Sequence, residues 1–254
     1  MRHLDESQLR TPQLRQVAHT VMSFQTPVGA WPKNIFYPTP TAQDFKHLAA
    51  VRQKGNEAMN LEATIDNGST TVEIRFLLQM ARANRQEESL ADSLRTAALH
   101  GIEYLLCMQY SNGGFPQYWP RRDHYHACIT FNDNAMTNAL RLLMDFAAAR
   151  SPFEVLEADS SHHTTVKLMR QRARKACIRG VRCILDCQLR DSTGSPAIWC
   201  QQHDPVTLAA TGARAFELPS FCTSESIDIL RFLRQCREEP LLQDNTLFTT
   251  DELT

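Results

Sequence analysis

Apolar residues along this chain recur at helical spacing, and they do so in three copies of one longer pattern. Ile74, Leu77, Leu78 and Ala81 fall at i, i+3, i+4 and i+7. The same spacing holds for Ala139, Leu142, Leu143 and Phe146, and again for Ile229, Phe232, Leu233 and Cys236. Such spacing gathers each set on one face of an α-helix. Each stripe follows a cluster of Ser, Thr, Asp or Asn able to start a helix. Three further apolar stretches, 11–25, 89–109 and 164–188, predict partner helices, each ending on a glutamine: Gln25, Gln109 and Gln188. A Gly and Pro turn with an aromatic follows each one: Gly29-Ala30-Trp31-Pro32, Gly113-Gly114-Phe115-Pro116 and Gly194-Ser195-Pro196-Ala197-Ile198-Trp199.

Polar positions repeat with the helices. Thr64-Ile65-Asp66-Asn67 precedes Arg75, Thr130-Phe131-Asn132-Asp133 precedes Arg141, and Ser220-Phe221-Cys222-Thr223 precedes Arg231, all at one spacing. A repeated supersecondary unit buries its apolar face only against its neighbours, so the pattern predicts one continuous helical body of six helices in three hairpins. The remaining prolines fall almost entirely between helices and mark long loops, about 20 residues or more in each repeat, where function commonly resides. Residues 151–163, with Ser160-Ser161-His162-His163, read as an exposed linker. The histidine pair there could bind a metal, with a solvated loop the simpler reading.

Composition narrows the classes. With 254 residues and 43% hydrophobic content the chain can build a sizeable core, and the repeat makes 1–254 a single domain. A formal net charge of -1 gives no electrostatic footprint for nucleic acid or an anionic membrane. No apolar run approaches the roughly 18 residues of a membrane span, and no secretory h-region is visible at Met1-Arg2-His3-Leu4-Asp5, so a soluble protein is expected. The eight cysteines include no Cys-x-x-Cys pair, and Cys177, Cys183 and Cys187 lie in one helical stretch, which favours buried free thiols.

Candidate chemistry sits where the repeats differ. Asp66-Asn67 and Asn132-Asp133 place an acid beside an amide in swapped order, and copy three lacks both. Their oxygens would make a hard site suited to Ca²⁺ or Mg²⁺ if they converge, whereas the plainer reading is that they cap the helices that follow. Spacing alone leaves both open. Gln201-Gln202-His203-Asp204 and the Arg214/Glu217 pair around Phe216 form a second candidate, against a surface ion pair of little energetic weight. Trp31, Phe115 and Trp119 beside polar groups suit stacking on sugar rings, or act as lids on the core.

Six motifs in order then resemble one family. They are Gly29-Ala30-Trp31-Pro32-Lys33-Asn34, Ala63-Thr64-Ile65-Asp66-Asn67-Gly68, Asn112-Gly113-Gly114-Phe115-Pro116-Gln117, Ile129-Thr130-Phe131-Asn132-Asp133-Asn134, Trp199-Cys200-Gln201-Gln202-His203-Asp204 and Ala213-Arg214-Ala215-Phe216-Glu217-Leu218-Pro219-Ser220. Together, over about residues 14–235, they strongly resemble the family 10 polysaccharide lyases, the pectate lyases. The resemblance implies an all-α, (α/α)3 toroid-like barrel and Ca²⁺-dependent cleavage of polygalacturonate by β-elimination. It implies a catalytic set of Arg214, as an unusual arginine base, and Asp66. Substrate contacts would be Lys33, Asn34, Asn132 and His203, and metal ligands Asn67 and Asp133. Polygalacturonate or pectin is the implied partner, a monomer the implied state, and a secreted or periplasmic site the implied location. Asn134 stands where the family usually has a second acid, and the resemblance implies that this chain lacks the family's C-terminal segment. The alternatives are a pectin- or oligogalacturonide-binding protein without turnover, and an inverting glycoside hydrolase using Asp66 and Asp133.

Overall fold

A computed structural model describes residues 5–157 and 163–242. Nine α-helices run through these residues: α1 (Glu6–Leu9), α2 (Pro12–Ser23), α3 (Ala42–Gln53), α4 (Asn56–Asn60), α5 (Thr71–Ala83), α6 (Glu88–Met108), α7 (Ala135–Ala147), α8 (His163–Asp186) and α9 (Thr223–Glu238). The fold is all-α, and the six helices of the repeat are α2, α5, α6, α7, α8 and α9. Every stripe residue named for α5 and α7 is buried, and Ile229, Phe232 and Cys236 bury α9. Among the described residues no helix is long and apolar enough to cross a membrane.

The hairpins are offset from the repeat. The most extensive packing joins α5 to α6 and α7 to α8, so each repeat boundary falls inside a hairpin. The cause is the short link at 84–87, which makes α5 and α6 antiparallel neighbours. One row then packs α2 on α6 and α6 on α8, and a second packs α5 on α7 and α7 on α9. The recurring arginines tie the second row together. Arg75 pairs with Asp145 of α7 at 2.6 Å, and Arg141 pairs with Asp228 of α9 at 2.9 Å.

The first two glutamines and turns are equivalent in space as well as in sequence, whereas Gln188 Nε2 donates to Ala197 O nine residues on. Gln25 Nε2 donates to Gly29 O and to Ala97 O of α6, at 2.7 and 2.9 Å. Gln109 Nε2 repeats this with Gly113 O and with Ala176 O of α8, at 2.9 and 2.8 Å. Gly113, at φ +94, lies so close to α8 that a Cβ would stand 2.1 Å from Arg179 O. Of the candidate stacking aromatics, Trp31 and Phe115 are lids on the core, while Trp119 is half-buried against it. Trp31, Phe115 and Trp199 are buried, and the two indoles donate to Val21 O and Ile184 O.

Two expectations change. The first long loop carries α3 and α4, because a Thr41/Asp44 capping box starts α3 and Leu48 and Val51 anchor it. The 151–163 linker is not exposed throughout, since Phe153–Glu157 form a 3-10 turn with Phe153, Val155 and Leu156 buried. His162 lies outside the described residues, and His163 opens α8. All eight cysteines are free thiols, five of them buried.

Candidate active site

A ladder of very short β-contacts runs across one face of the helical body and gathers the motifs. Strands β1 (Ile129–Thr130), β2 (Gln202–His203) and β3 (Ala210–Thr211) pair antiparallel in that order. Single bridges extend the ladder from Ile129 to Pro116, and join Tyr118 to Thr64 and Thr64 to Trp31. Lys33, Asp66, Asn132, Asp133 and Arg214 each follow one of these rungs by two or three residues, so the ladder aims them at one place. Backbone bonds fix the register: Ile65 N donates to Gln117 O at 3.2 Å, and Phe131 N and Asn132 N both donate to Gln201 O at 2.8 and 3.1 Å.

The acid–amide pairs occupy two equivalent 3-10 turns, Asp66–Gly68 and Asn132–Asn134, which pack against each other. Asn67 and Asp133 share a left-handed φ of 53°, followed by Gly68 at 77° and Asn134 at 58°. Asn and Asp tolerate that region better than other side chains, so part of the repeated pattern is a backbone requirement. None of the four side chains caps a helix. Asp66 takes its hydrogen bond from Lys33 Nζ, and Asp133 Oδ2 accepts from Asn132 Nδ2 at 2.8 Å. The helix-capping reading is therefore set aside.

One polar pocket of about 190 Å³ holds the set. Lys33, Asp66, Asn67, Asn132, Asp133 and Arg214 all line it. Asn34 sits one step behind, its Oδ1 accepting from Asn67 Nδ2 at 2.9 Å. His203 is the correction. It is fully buried, its Nδ1 lies 2.8 Å from Leu208 O and its ring packs edge-on against Phe131, so it does not line the pocket. Adjacent residues of a strand face opposite sides, and it is Gln202 of this strand that lines the pocket. Gln117, Tyr125 and Gln201 also line it, of which only Tyr125 lay outside every motif. A larger depression of about 410 Å³ runs along α8 past Arg170 and Arg174, away from all of these residues.

Charge in the pocket is arranged in two pairs. Burial opposes the Lys33 ammonium, but its hydrogen bond to Asp66 and the charges of Tyr118 and Asp66 outweigh this, and its pKa is raised. Asp66 is 3% exposed and its Oδ1 has no partner. Burial and the neighbouring Asp66 charge push Asp133 above the usual carboxylate range, against the pull of Lys33 and Arg214. At the rim, Glu217 grips Arg214 through its Nε at 2.8 Å, its backbone N at 3.0 Å and a further contact to Nη2. That fork drops Glu217 to about 2 and raises Arg214 further, so the guanidinium is held in its charged form.

Among the described residues no group of three His, Cys, Asp or Glu side chains gathers to hold a metal. The donor set here is of another kind, two carboxylates and two amides. An unpartnered buried Asp66 Oδ1, and an Asp133 whose ionisation is opposed by burial and by the Asp66 charge, fit a hard divalent cation.

Comparisons with known proteins bear on the same residues. The family model described as pectic acid lyase matches residues 25–243. Among solved structures, a family 10 polysaccharide lyase from Cellvibrio cellulosa is 30% identical, with a TM-score of 0.69 over 90% of this chain and 62% of that one. An Asp-to-Ala mutant of a family 10 polysaccharide lyase from the same organism, in complex with trigalacturonic acid, is 29% identical. Its TM-score is 0.70 over 95% of this chain and 65% of that one. The chain thus spans less than two thirds of the length of these relatives. No curated protein sequence matches this chain.

Proposed function

The chain belongs to the pectic acid lyase family, and from that premise we propose that it cleaves polygalacturonate by Ca²⁺-dependent β-elimination. The observation that carries this reading is the convergence of both acid–amide pairs with Lys33 and Arg214 in one polar pocket. In the reaction a base takes the proton on C5, next to the uronate carboxylate. The electrons form the C4–C5 double bond, and the C4–O bond to the leaving sugar breaks.

Asn67 and Asp133, with Asp66 adjacent, would hold the cation. The chemistry that a bound Ca²⁺ supplies is stabilisation of the negative charge building on the uronate carboxylate. Lys33 supplies a fixed positive charge for the anionic chain, held in place by Asp66. Asn132 orients Asp133 through its amide, and Asn34 does the same for Asn67.

Arg214 is assigned as the base from its motif position and its place in the pocket wall. A base must shed a proton first, and Glu217 opposes this in the resting structure. Turnover therefore requires Glu217 to leave the guanidinium, because Glu217 and the nearby Asp133 charge both favour its charged form. The same pair is what favours a second reading, galacturonide binding without turnover.

Product analysis on polygalacturonate separates the readings. β-Elimination yields unsaturated, UV-absorbing ends. New reducing ends without UV absorbance would instead indicate hydrolysis through Asp66 and Asp133, and binding with no product would indicate a binding protein.

A further inference from the structure

Gln202 presents the pocket with an acceptor that no protein donor satisfies. It is 2% exposed, lines the pocket, and its Oε1 is buried without a partner. Its amide orientation follows from Thr130. The Thr130 hydroxyl donates to Cys128 O at 2.9 Å, so toward Gln202 it can only accept, and Gln202 Nε2 faces it at 3.5 Å. Oε1, at the other end of the amide, is left without a protein donor. The pocket's cationic donors are already engaged, Lys33 with Asp66 and Arg214 with Glu217. None of the pocket's other donors reaches Oε1 either, which leaves a bound ligand to bring one.

We propose that Gln202 Oε1 accepts a hydrogen bond from a free ring hydroxyl of the bound uronide, and that this makes Gln202 a substrate-orienting residue that discriminates against O-acetylated uronides. The proposal rests on the reading of this pocket as a galacturonide site. A neutral amide oxygen suits a hydroxyl, which carries no charge to match. An acetyl ester at that position has no O–H to give, so it leaves Oε1 buried and unpaired while adding bulk to a 190 Å³ pocket. Sites built around a substrate hydroxyl reject analogues that lack it far more strongly than apolar pockets reject a change of size.

Calorimetric binding of trigalacturonate, which needs no turnover, tests this apart from catalysis. Gln202→Met keeps the length of the side chain and removes the acceptor. Its affinity should fall about tenfold or more, with an unchanged melting temperature and an unchanged Ca²⁺ titration. The parent should also bind an O-acetylated trigalacturonate at least about tenfold more weakly than the free form, a comparison that needs no variant. In Gln202→Met that preference should shrink. A parent that binds no trigalacturonate overturns the galacturonide site itself and this proposal with it. Equal affinity of parent and variant, or equal parent affinity for acetylated and free ligand, overturns Gln202 alone. A shifted Ca²⁺ titration with unchanged sugar affinity would make Gln202 a metal ligand and also overturn it.

Discussion

Replacing Glu73 with glutamine should stabilise the protein above neutral pH and leave it nearly unchanged in acid. Glu73 stands in the first turn of α5, 7% exposed, with Oε2 unpartnered. Tyr37 is the charged-capable neighbour, and its own hydroxyl is buried without a partner. Burial pushes the Glu73 pKa up from 4.5 to about 7, against the backbone amides of Glu73 and Thr70. At about 1.4 kcal/mol per pH unit of displacement, the gap amounts to about 3 kcal/mol. Because the folded value lies above the unfolded one, the folded state keeps a proton that the unfolded state loses first. Stability from this group is complete below about pH 4.5 and lost as pH rises through about 7. Glu73→Gln cannot ionise, so near pH 8 it should exceed the parent by up to about 3 kcal/mol, or about 6–12 °C in Tm for a chain of this size. Thermal melts of both proteins near pH 4.5 and pH 8 measure it. An equal shift at the two pH values would refute the reasoning, since a packing effect does not titrate.

Other substitutions probe the site and the frame. Arg214→Lys keeps the charge and loses the fork, so kcat on polygalacturonate should fall about 100-fold or more with affinity largely kept. Activity within about tenfold of the parent would remove Arg214 from the chemistry. Lys33→Met strips Asp66 of its donor, and KM should rise about 10–100-fold, the equivalent of a charged hydrogen bond. An unchanged KM would leave Lys33 no part in holding the substrate. Gly113→Ala forces a Cβ onto Arg179 O at φ +94 and should cost about 2–4 kcal/mol in urea unfolding. Gly55→Ala, with a similar φ of +93 but nothing within 4 Å, should cost less, and equal costs would contradict the close approach of the turn to α8.

The helices of the repeat were legible because each carries an apolar stripe on one face, and in α5, α6, α7, α8 and α9 that stripe is buried over enough turns for a period to show. The glutamines, turn glycines and recurring arginines were legible as repeats, although their jobs were not: Gln25 and Gln109 tie each turn to the next helix, and Arg75 and Arg141 tie α5 to α7 and α7 to α9. α3 hid because its apolar residues do not gather on one face: Leu48 and Val51 are buried while Phe45 is exposed. The ladder hid because two residues cannot display an alternation. The same shortness hid the facing of His203, which the family resemblance put among the substrate contacts. A step of one residue along a strand reverses the face, and only the pairing of β2 with β1 and β3 decides which side chain turns in. The grip of Glu217 on Arg214 was visible as a spacing of three, but whether it forms depends on the turn that brings Ala213 N onto Glu217 O at 3.1 Å.

The most direct test of the account is a continuous UV assay of the parent protein on polygalacturonate, run through one cycle of Ca²⁺ addition, chelation and Ca²⁺ resupply. The account predicts that absorbance from unsaturated ends rises with Ca²⁺, stops with chelator and resumes when Ca²⁺ is restored in excess. No rise at any stage from folded protein would contradict the proposed β-elimination, and a rise that persists through chelation would contradict the role given to Asn67 and Asp133.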